Sequence, residues 1–198
     1  AVENGIYCII ADGFEELEKI ETICARLKKK IAVSLRLRPN IDVHAHHAMQ
    51  TAKMDCKFGF GISDGQAIRA AEIVAHSEYM YLHGIHCHIG SQIFEEQPFA
   101  ILAEHMVSFA CQVREKTGII LKEFNCGGGY GVRYVESDPD LDVDTKVGEV
   151  AAAIRQACAR LEIDLPEIHM EPGRSIVGAA GMTLYTAGTV KKIPGYKN

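Results

Sequence analysis

Three strand-like segments that end in polar, glycine-rich tips constrain the fold of this chain more than any other feature. They span Tyr79 to His88, Ile119 to Cys126 and Glu167 to Glu171. Apolar stretches of this length, bounded by glycine and proline, are typical of buried strands. Because polar residues come where each segment stops, we expect the three strand ends to build one pocket.

Amphipathic helices alternate with these strands. Apolar residues recur at helical spacing over 17–27, 68–75, 99–113 and 147–161, and two more β-rich segments lie at 6–11 and 31–37. This alternation predicts parallel strands joined by helical crossovers, and the apolar character of the strands indicates that both faces are covered. An open doubly wound sheet and part of a (β/α)8 barrel both fit, and both bind ligands at the carboxyl ends of the strands.

Three parts of the pattern are less regular. Ser63, followed by Gln66, predicts a capping box that opens the second helix. Residues 41–61 show no clear period, and we interpret them as a long loop in which the histidines at 44, 46 and 47 are solvated. A weak alternation predicts a further strand over 182–192.

Composition restricts the class of protein. The 198 residues contain no apolar run of the length that spans a membrane, and the net charge of −5 comes with only one basic cluster, Lys28 to Lys30. That cluster ends a predicted helix, so we expect neither nucleic-acid nor membrane partners. The seven cysteines are scattered without a CxxC pair, which favours reduced thiols in a cytoplasmic protein.

The triple glycine Gly127-Gly128-Gly129 directly follows a predicted strand. Consecutive glycines allow backbone N–H groups to converge on an anion, which favours a phosphate site over the alternative of a flexible turn. The next residues are Tyr130 and Gly131. The pattern is therefore neither GxGxxG nor a loop completed by Gly-Lys-Ser/Thr, and a dinucleotide or nucleoside-triphosphate site is not expected.

Charged residues at the other tips allow two kinds of site. Glu171 could hold a protonated ring nitrogen while Arg174 binds an anionic group, although a salt bridge across the turn is the alternative. His86 and His88 alternate on one strand, so they share a face and could bind a metal ion together with Glu171. Ser91, in the same tip as His88, favours contacts with an anion or a cofactor instead.

Taken together, the motifs resemble the diaminopimelate decarboxylase family of fold-type III pyridoxal-phosphate enzymes. Ornithine and arginine decarboxylases, and more distantly alanine racemase, share this fold type. The resemblance runs along essentially the whole chain, and it is carried by His86-Cys-His-Ile-Gly-Ser-Gln92, by Gly127 to Gly131 and by Glu171-Pro-Gly-Arg174. Weaker matches surround Arg36, which the resemblance places near the cofactor, and Lys57, which it places at a subunit interface.

The resemblance implies an α/β fold, a partial (β/α)8 TIM barrel of the alanine racemase-like type with about five strand–helix units over residues 1–181. Residues 182–198 would begin the connection to a C-terminal β-domain that is absent from the chain. The family's lysine that is joined to the cofactor has no match either. We therefore expect an internal fragment that is inactive alone, taken from an enzyme that is a homodimer at full length.

The resemblance also implies a cofactor, pyridoxal 5'-phosphate, and no metal ion. The residues implied to bind it are His88, Ser91, Gly127, Gly128, Gly129, Glu171, Gly173 and Arg174. His88 would stack on the pyridine ring and Glu171 would pair with the ring nitrogen. Ser91 and the glycines would hold the phosphate, and Arg174 would also reach a substrate carboxylate.

The leading hypothesis is the decarboxylation of meso-2,6-diaminopimelate to L-lysine, a step of lysine biosynthesis. Another basic amino acid or polyamine precursor, namely ornithine, arginine or carboxynorspermidine, is an alternative substrate. Two other classes of function also remain open. One is a catalytically dead decarboxylase homologue that acts as a binding protein, and the other is a metal-dependent barrel hydrolase that uses His86 and His88.

Overall fold

The computed structural model describes residues 1–41, 57–189 and 194–195, so the predicted loop histidines at 44–47 lie outside the described part. Strands and helices alternate along it as predicted. In chain order they are β1 (Cys8–Ala11), α1 (Phe14–Leu27), β2 (Ile31–Arg38), β3 (Phe60–Gly61), α2 (Gln66–Ala75), β4 (Met80–Cys87), α3 (Gln97–Thr117), β5 (Glu123–Asn125), α4 (Val143–Arg160), β6 (Glu167–His169) and α5 (Gly173–Val177). None of these helices combines the length and the apolar character needed to cross a lipid bilayer.

The strand order decides between the two architectures that the sequence allows. The described strands form one parallel sheet in the order β1-β2-β4-β5-β6, and the short β3 pairs with the last two residues of β2. Each strand thus lies beside the next one along the chain, with no reversal of direction. Right-handed crossovers then place all connecting helices on one face, whereas a doubly wound sheet requires a reversal. The chain is therefore a partial (β/α)8 barrel.

The face of the sheet that carries the helices forms the apolar core. Val33, Leu35 and Leu37 of β2 are at most 2% exposed and point towards the helices. α3 contributes the apolar stripe that its spacing predicts, with Met106 among its fully buried side chains, and it ends at Gly118 in the left-handed conformation, also as predicted.

The opposite face, which lines the inside of the barrel, carries polar side chains. Arg36, His86, Asn125 and His169 are in register on four neighbouring strands, and we call them the polar row. Residues paired across a parallel sheet point to the same side, so the row forms a band across the barrel interior. This band departs from the expectation of apolar strands on both faces, and it leads towards the carboxyl ends of the strands.

Several local predictions are wrong. α2 begins at Gln66 after Gly65, and the backbone N–H of Gln66 donates to the side chain of Asp64 at 3.1 Å, so Ser63 does not open the helix. The predicted loop over 41–61 includes the strand β3, because Phe60 is buried against the end of β2.

The predicted strand over 182–192 is also absent from its described part, residues 182–189. Met182, Leu184 and Tyr185 are 84–90% exposed there, since this segment pairs with none of the described strands. A strand needs a partner for its backbone groups, which the weak alternation of the sequence cannot reveal. β5 begins at Glu123 instead of Ile119, and β6 ends at His169, before the turn that carries Glu171 into the site, so both strands are shorter than predicted.

The central position of β2 generates a stability prediction. Leu35→Ala, at a fully buried position, should lower the free energy of unfolding by about 2–5 kcal/mol, because it removes apolar contacts and leaves a cavity. Leu165→Ala makes the same change at a side chain that is 53% exposed and should cost less than about 1 kcal/mol. Denaturant unfolding followed by circular dichroism measures both, and equal losses would contradict this account of the core.

Candidate cofactor site

The carboxyl ends of β4, β5 and β6 meet around an open cleft of about 550 Å³. Its walls are built by His88, Ser91, Gly129, Tyr130, Glu171, Pro172, Gly173, Arg174 and Ser175. Six of the eight residues that the sequence assigns to the cofactor are among them, which supports the expectation of one pocket formed by several strand ends. The other two, Gly127 and Gly128, lie behind this surface.

Close packing of the strand ends explains the triple glycine. A Cβ atom on Gly127 would overlap the Cys87 carbonyl oxygen, and one on Gly128 would overlap the Glu171 carbonyl oxygen. Gly129 approaches the backbone of Gly90 equally closely and has a φ of +97°, which side chains strongly disfavour. Three glycines are therefore needed to bring β4, β5 and β6 together, whatever their contribution to ligand binding.

The first two amides of the glycine loop already have acceptors within the protein. The Gly127 N–H donates to Asn125 Oδ1 at 2.9 Å, and the Gly128 N–H donates to His88 Nδ1 at 3.3 Å. These two amides orient neighbouring side chains, and Gly129 is the member of the triplet that faces the cleft. The sequence pattern could not separate these roles, because they depend on which residues lie across the neighbouring strands.

The His88 imidazole is held in a neutral form at the wall of the cleft. Burial lowers its pKa, and the positive charge of Arg36 acts in the same direction. Because Nδ1 accepts the Gly128 N–H, the ring proton of the neutral form resides on Nε2. The ring therefore has one tautomer and no charge at neutral pH.

The Glu171 carboxylate, whose side chain is 50% exposed, is oriented by two residues of the polar row. Asn125 Nδ2 donates to Oε1 at 2.9 Å, and His86 Nε2 lies 3.4 Å from Oε2. His86, which the sequence offered as a metal ligand together with Glu171, contacts this carboxylate directly. Burial lowers the pKa of His86, while Glu171 opposes this shift. Among the described residues, the buried Nδ1 of His86 has no hydrogen-bond partner.

Arg174 is available to a ligand at the opposite wall. Within the described chain it forms no ion pair with Glu171, so the alternative of a salt bridge across the turn is not what the structure shows. Its Nη1 instead donates to the Tyr134 hydroxyl at 3.4 Å. Arg36, the other guanidinium of the inner face, lies 3.6 Å from Asp12 and covers the ring of Phe58.

A second cluster of ionisable groups, which the sequence did not reveal, surrounds Glu123 nearer the amino end of the barrel interior. This carboxylate is 5% exposed, and it accepts a 3.0 Å hydrogen bond from the Tyr7 hydroxyl. His83 and His169 lie 3.7 and 3.5 Å from its two oxygens. Glu123 and Asn125 flank the buried Phe124 at alternate positions of β5, and a carboxylate on a buried strand is the signal that could have identified this cluster.

The described residues do not favour a metal centre. Within 1–41 and 57–189, no group of three histidine, cysteine, aspartate or glutamate side chains is arranged to hold a metal ion. His88 Nδ1 and His86 Nε2 are directed to Gly128 and Glu171 instead.

The fold and the cleft together define a class of protein, a parallel barrel whose strand ends present an oriented carboxylate, a neutral imidazole and a guanidinium. Comparison with known proteins makes this class more specific. Residues 1–178 match the family model described as the pyridoxal binding domain of pyridoxal-dependent decarboxylases. The chain therefore belongs to the pyridoxal-dependent decarboxylase family.

Curated relatives carry one name. The chain is 41% identical over 197 residues to the diaminopimelate decarboxylase of Bacillus subtilis (strain 168), and 39% identical over 194 residues to that of Staphylococcus aureus (strain COL). These alignments cover 100% and 98% of this chain, but only 45% and 44% of the two relatives. The chain thus spans somewhat less than half the length of the relatives it matches.

Solved structures agree with this assignment. The diaminopimelate decarboxylase of Helicobacter pylori complexed with L-lysine aligns with a TM-score of 0.77 at 29% identity, over 89% of this chain and 42% of that one. The enzyme of M. jannaschii in complex with L-lysine aligns with a TM-score of 0.76 at 28% identity, over 88% and 40% of the two chains. The partial barrel is therefore confirmed as the fold.

The lowered pKa of His88 generates a prediction of pH dependence. An unfolded imidazole titrates near pH about 6.5, and the folded one at lower pH, so acidification favours the unfolded state. The stabilisation is complete above that pH and is lost as the pH falls towards the folded pKa. His88→Phe keeps a flat ring but removes the titration.

The free energy of unfolding should therefore fall less between pH about 7.5 and about 5.5 in His88→Phe than in the wild type, with a difference of at most about 1.4 kcal/mol per pH unit. Denaturant titrations at several pH values measure the slope. Identical slopes for the two proteins would show that His88 is not held neutral.

Proposed function

We propose that the full-length protein containing this chain is a pyridoxal-phosphate-dependent decarboxylase that converts meso-2,6-diaminopimelate to L-lysine. The observation that carries this proposal is the convergence of His88, Glu171 and Arg174 on one cleft at the strand ends. The curated relatives, which are named for this reaction, support the choice of substrate. Ornithine, arginine and carboxynorspermidine are the alternative substrates.

The side chains of the cleft fit the cofactor group by group. Arg174, with Ser91, Gly129 and Gly173 beside it, supplies positive charge and hydrogen-bond donors for a phosphate. Glu171 is oriented by Asn125 and His86, and a carboxylate in this position could pair with a protonated ring nitrogen. His88 offers an uncharged planar ring, which suits stacking without competing for that charge.

When bound, pyridoxal phosphate supplies an electron sink for the electron pair that remains after a carboxylate departs as CO2. The chain contributes fixed charges to this chemistry. Glu171 would pair with the protonated ring nitrogen, and Arg174 would hold the phosphate and could also reach a substrate carboxylate. Because Asn125 and His86 hold Glu171 in place before any ligand arrives, little reorganisation is needed during the reaction.

The cleft walls within the described chain contain no lysine side chain. No lysine of the sequence matches the family's motif for the residue that is joined to the cofactor. We propose on this ground that this lysine comes from another part of the full-length protein, and that residues 1–198 do not catalyse the reaction alone. We further propose a cytoplasmic homodimer. The free thiols among the described cysteines support a reducing compartment, and the family resemblance supports the dimer.

The proposal is tested by supplying purified full-length protein and pyridoxal phosphate with meso-diaminopimelate, L-ornithine or L-arginine. We expect release of CO2 with formation of L-lysine from diaminopimelate, and much slower turnover of the other two amino acids. Faster turnover of ornithine or arginine would replace the proposed substrate. Absence of cofactor binding would contradict the proposal as a whole.

Arg174→Met should weaken cofactor binding about tenfold or more, because it removes charge-assisted hydrogen bonds to the phosphate. Arg26→Met makes the same change on the outer helix α1 and serves as the matched control, with no expected effect on cofactor affinity. Fluorescence titration of the apoprotein with pyridoxal phosphate measures both. An unchanged affinity in Arg174→Met would remove this residue from the phosphate site.

A further inference from the structure

Asn125 occupies a central position between the glycine loop and Glu171. It is the last residue of β5, it is 7% exposed, and it lies in the polar row between His86 and His169. Its two polar atoms make different contacts. Oδ1 accepts the N–H of Gly127 at 2.9 Å, and Nδ2 donates to Glu171 Oε1 at 2.9 Å.

The backbone decides which way the amide points. A main-chain N–H can only donate, so the atom of Asn125 that faces Gly127 must be the oxygen. The NH2 group is then directed at Glu171, where it meets an ionised carboxylate that can only accept. The conformation of the glycine loop, which packing against β4 and β6 requires, thereby sets the donor that orients the acid.

We propose that Asn125 is a positioning residue that fixes the orientation of the Glu171 carboxylate through the amide it shares with the glycine loop. This inference rests on the proposed binding of pyridoxal phosphate. It adds that the phosphate end and the ring-nitrogen end of the site are linked by one side chain. A change at Asn125 therefore alters the site at Glu171 even when the loop is undisturbed.

Asn125→Asp separates this role from simple support of the loop. Aspartate keeps an oxygen for the Gly127 N–H, but it replaces the donor facing Glu171 with a second carboxylate oxygen. Two carboxylates at hydrogen-bond distance cannot both ionise easily, so they share a proton at low pH and repel one another once it is lost. The shared proton restores a donor to Glu171, which reproduces the wild-type contact.

Cofactor affinity of the full-length apoprotein should reveal this difference. We expect Asn125→Asp to bind pyridoxal phosphate nearly as well as the wild type at low pH, and about tenfold or more weakly as the pH rises. Asn125→Leu, which has neither donor nor acceptor, should bind more weakly by a ratio that does not change with pH. Asn4→Asp, an exposed position at the amino terminus, is the matched control and should bind as the wild type does.

Combining Asn125→Asp with a substitution of Glu171 tests whether the effect depends on the contact between the two side chains. In Glu171→Gln the facing charge is gone, so adding Asn125→Asp should produce no pH-dependent loss of affinity. If Asn125→Asp prevents folding in the Glu171 protein, folding should return in the Glu171→Gln background, and failure to return would contradict the proposal. Fluorescence titration and circular dichroism provide these measurements.

The outcomes distinguish the two levels of inference. A wild-type protein that binds no pyridoxal phosphate overturns both the proposed function and the role of Asn125. A wild type that binds the cofactor, with an Asn125→Asp variant of equal affinity at every pH, overturns only the role of Asn125. Tighter binding by Asn125→Asp at high pH would also overturn it, since the added charge would then be favourable.

Discussion

The contact between the triple glycine and the backbones of its two neighbouring strands is the constraint on which the site depends. Gly127 packs against the end of β4, and Gly128 packs against the backbone of Glu171 after β6. Side chains at these positions would push the strand ends apart. With them together, a carboxylate, an imidazole and a guanidinium that are far apart in the sequence line one cleft.

Charge is distributed unequally around this cleft, and burial is the main cause. The imidazoles of His86 and His88 have lowered pKa values because the barrel wall removes them from water. Glu171 is half exposed, and its two carboxylate oxygens are contacted by Asn125 and His86, which orient the group. A neutral ring beside a fixed carboxylate and a free guanidinium suits a ligand with a cationic ring nitrogen and an anionic phosphate.

Sequence patterns were sufficient where the information is local. Apolar runs with polar tips gave the strand ends, and Gly118 gave the end of α3, since both depend on neighbours in the chain. Sequence patterns were insufficient where the contacts of a residue depend on a neighbouring strand. The contacts of Asn125 depend on its register with His86 and on the loop that follows it. The start of α2 was predicted at Ser63, but Asp64 is the residue that accepts the Gln66 amide.

The strand order is the clearest case of such non-local information. Strand–helix alternation is common to doubly wound sheets and barrels, and only the pairing of each strand with its successor separates them. The polar row follows from the same pairing, because it joins residues from four strands. A sequence segment can show that a residue points inward, but it cannot show what that residue meets.

Nitrogen NMR of the full-length protein, loaded with pyridoxal phosphate isotopically labelled at the ring nitrogen, tests the central claim most directly. The account predicts the chemical shift of a protonated pyridine nitrogen at neutral pH, and its loss in Glu171→Gln. A deprotonated ring nitrogen in the wild type, or a protonated one that is indifferent to Glu171→Gln, would contradict it.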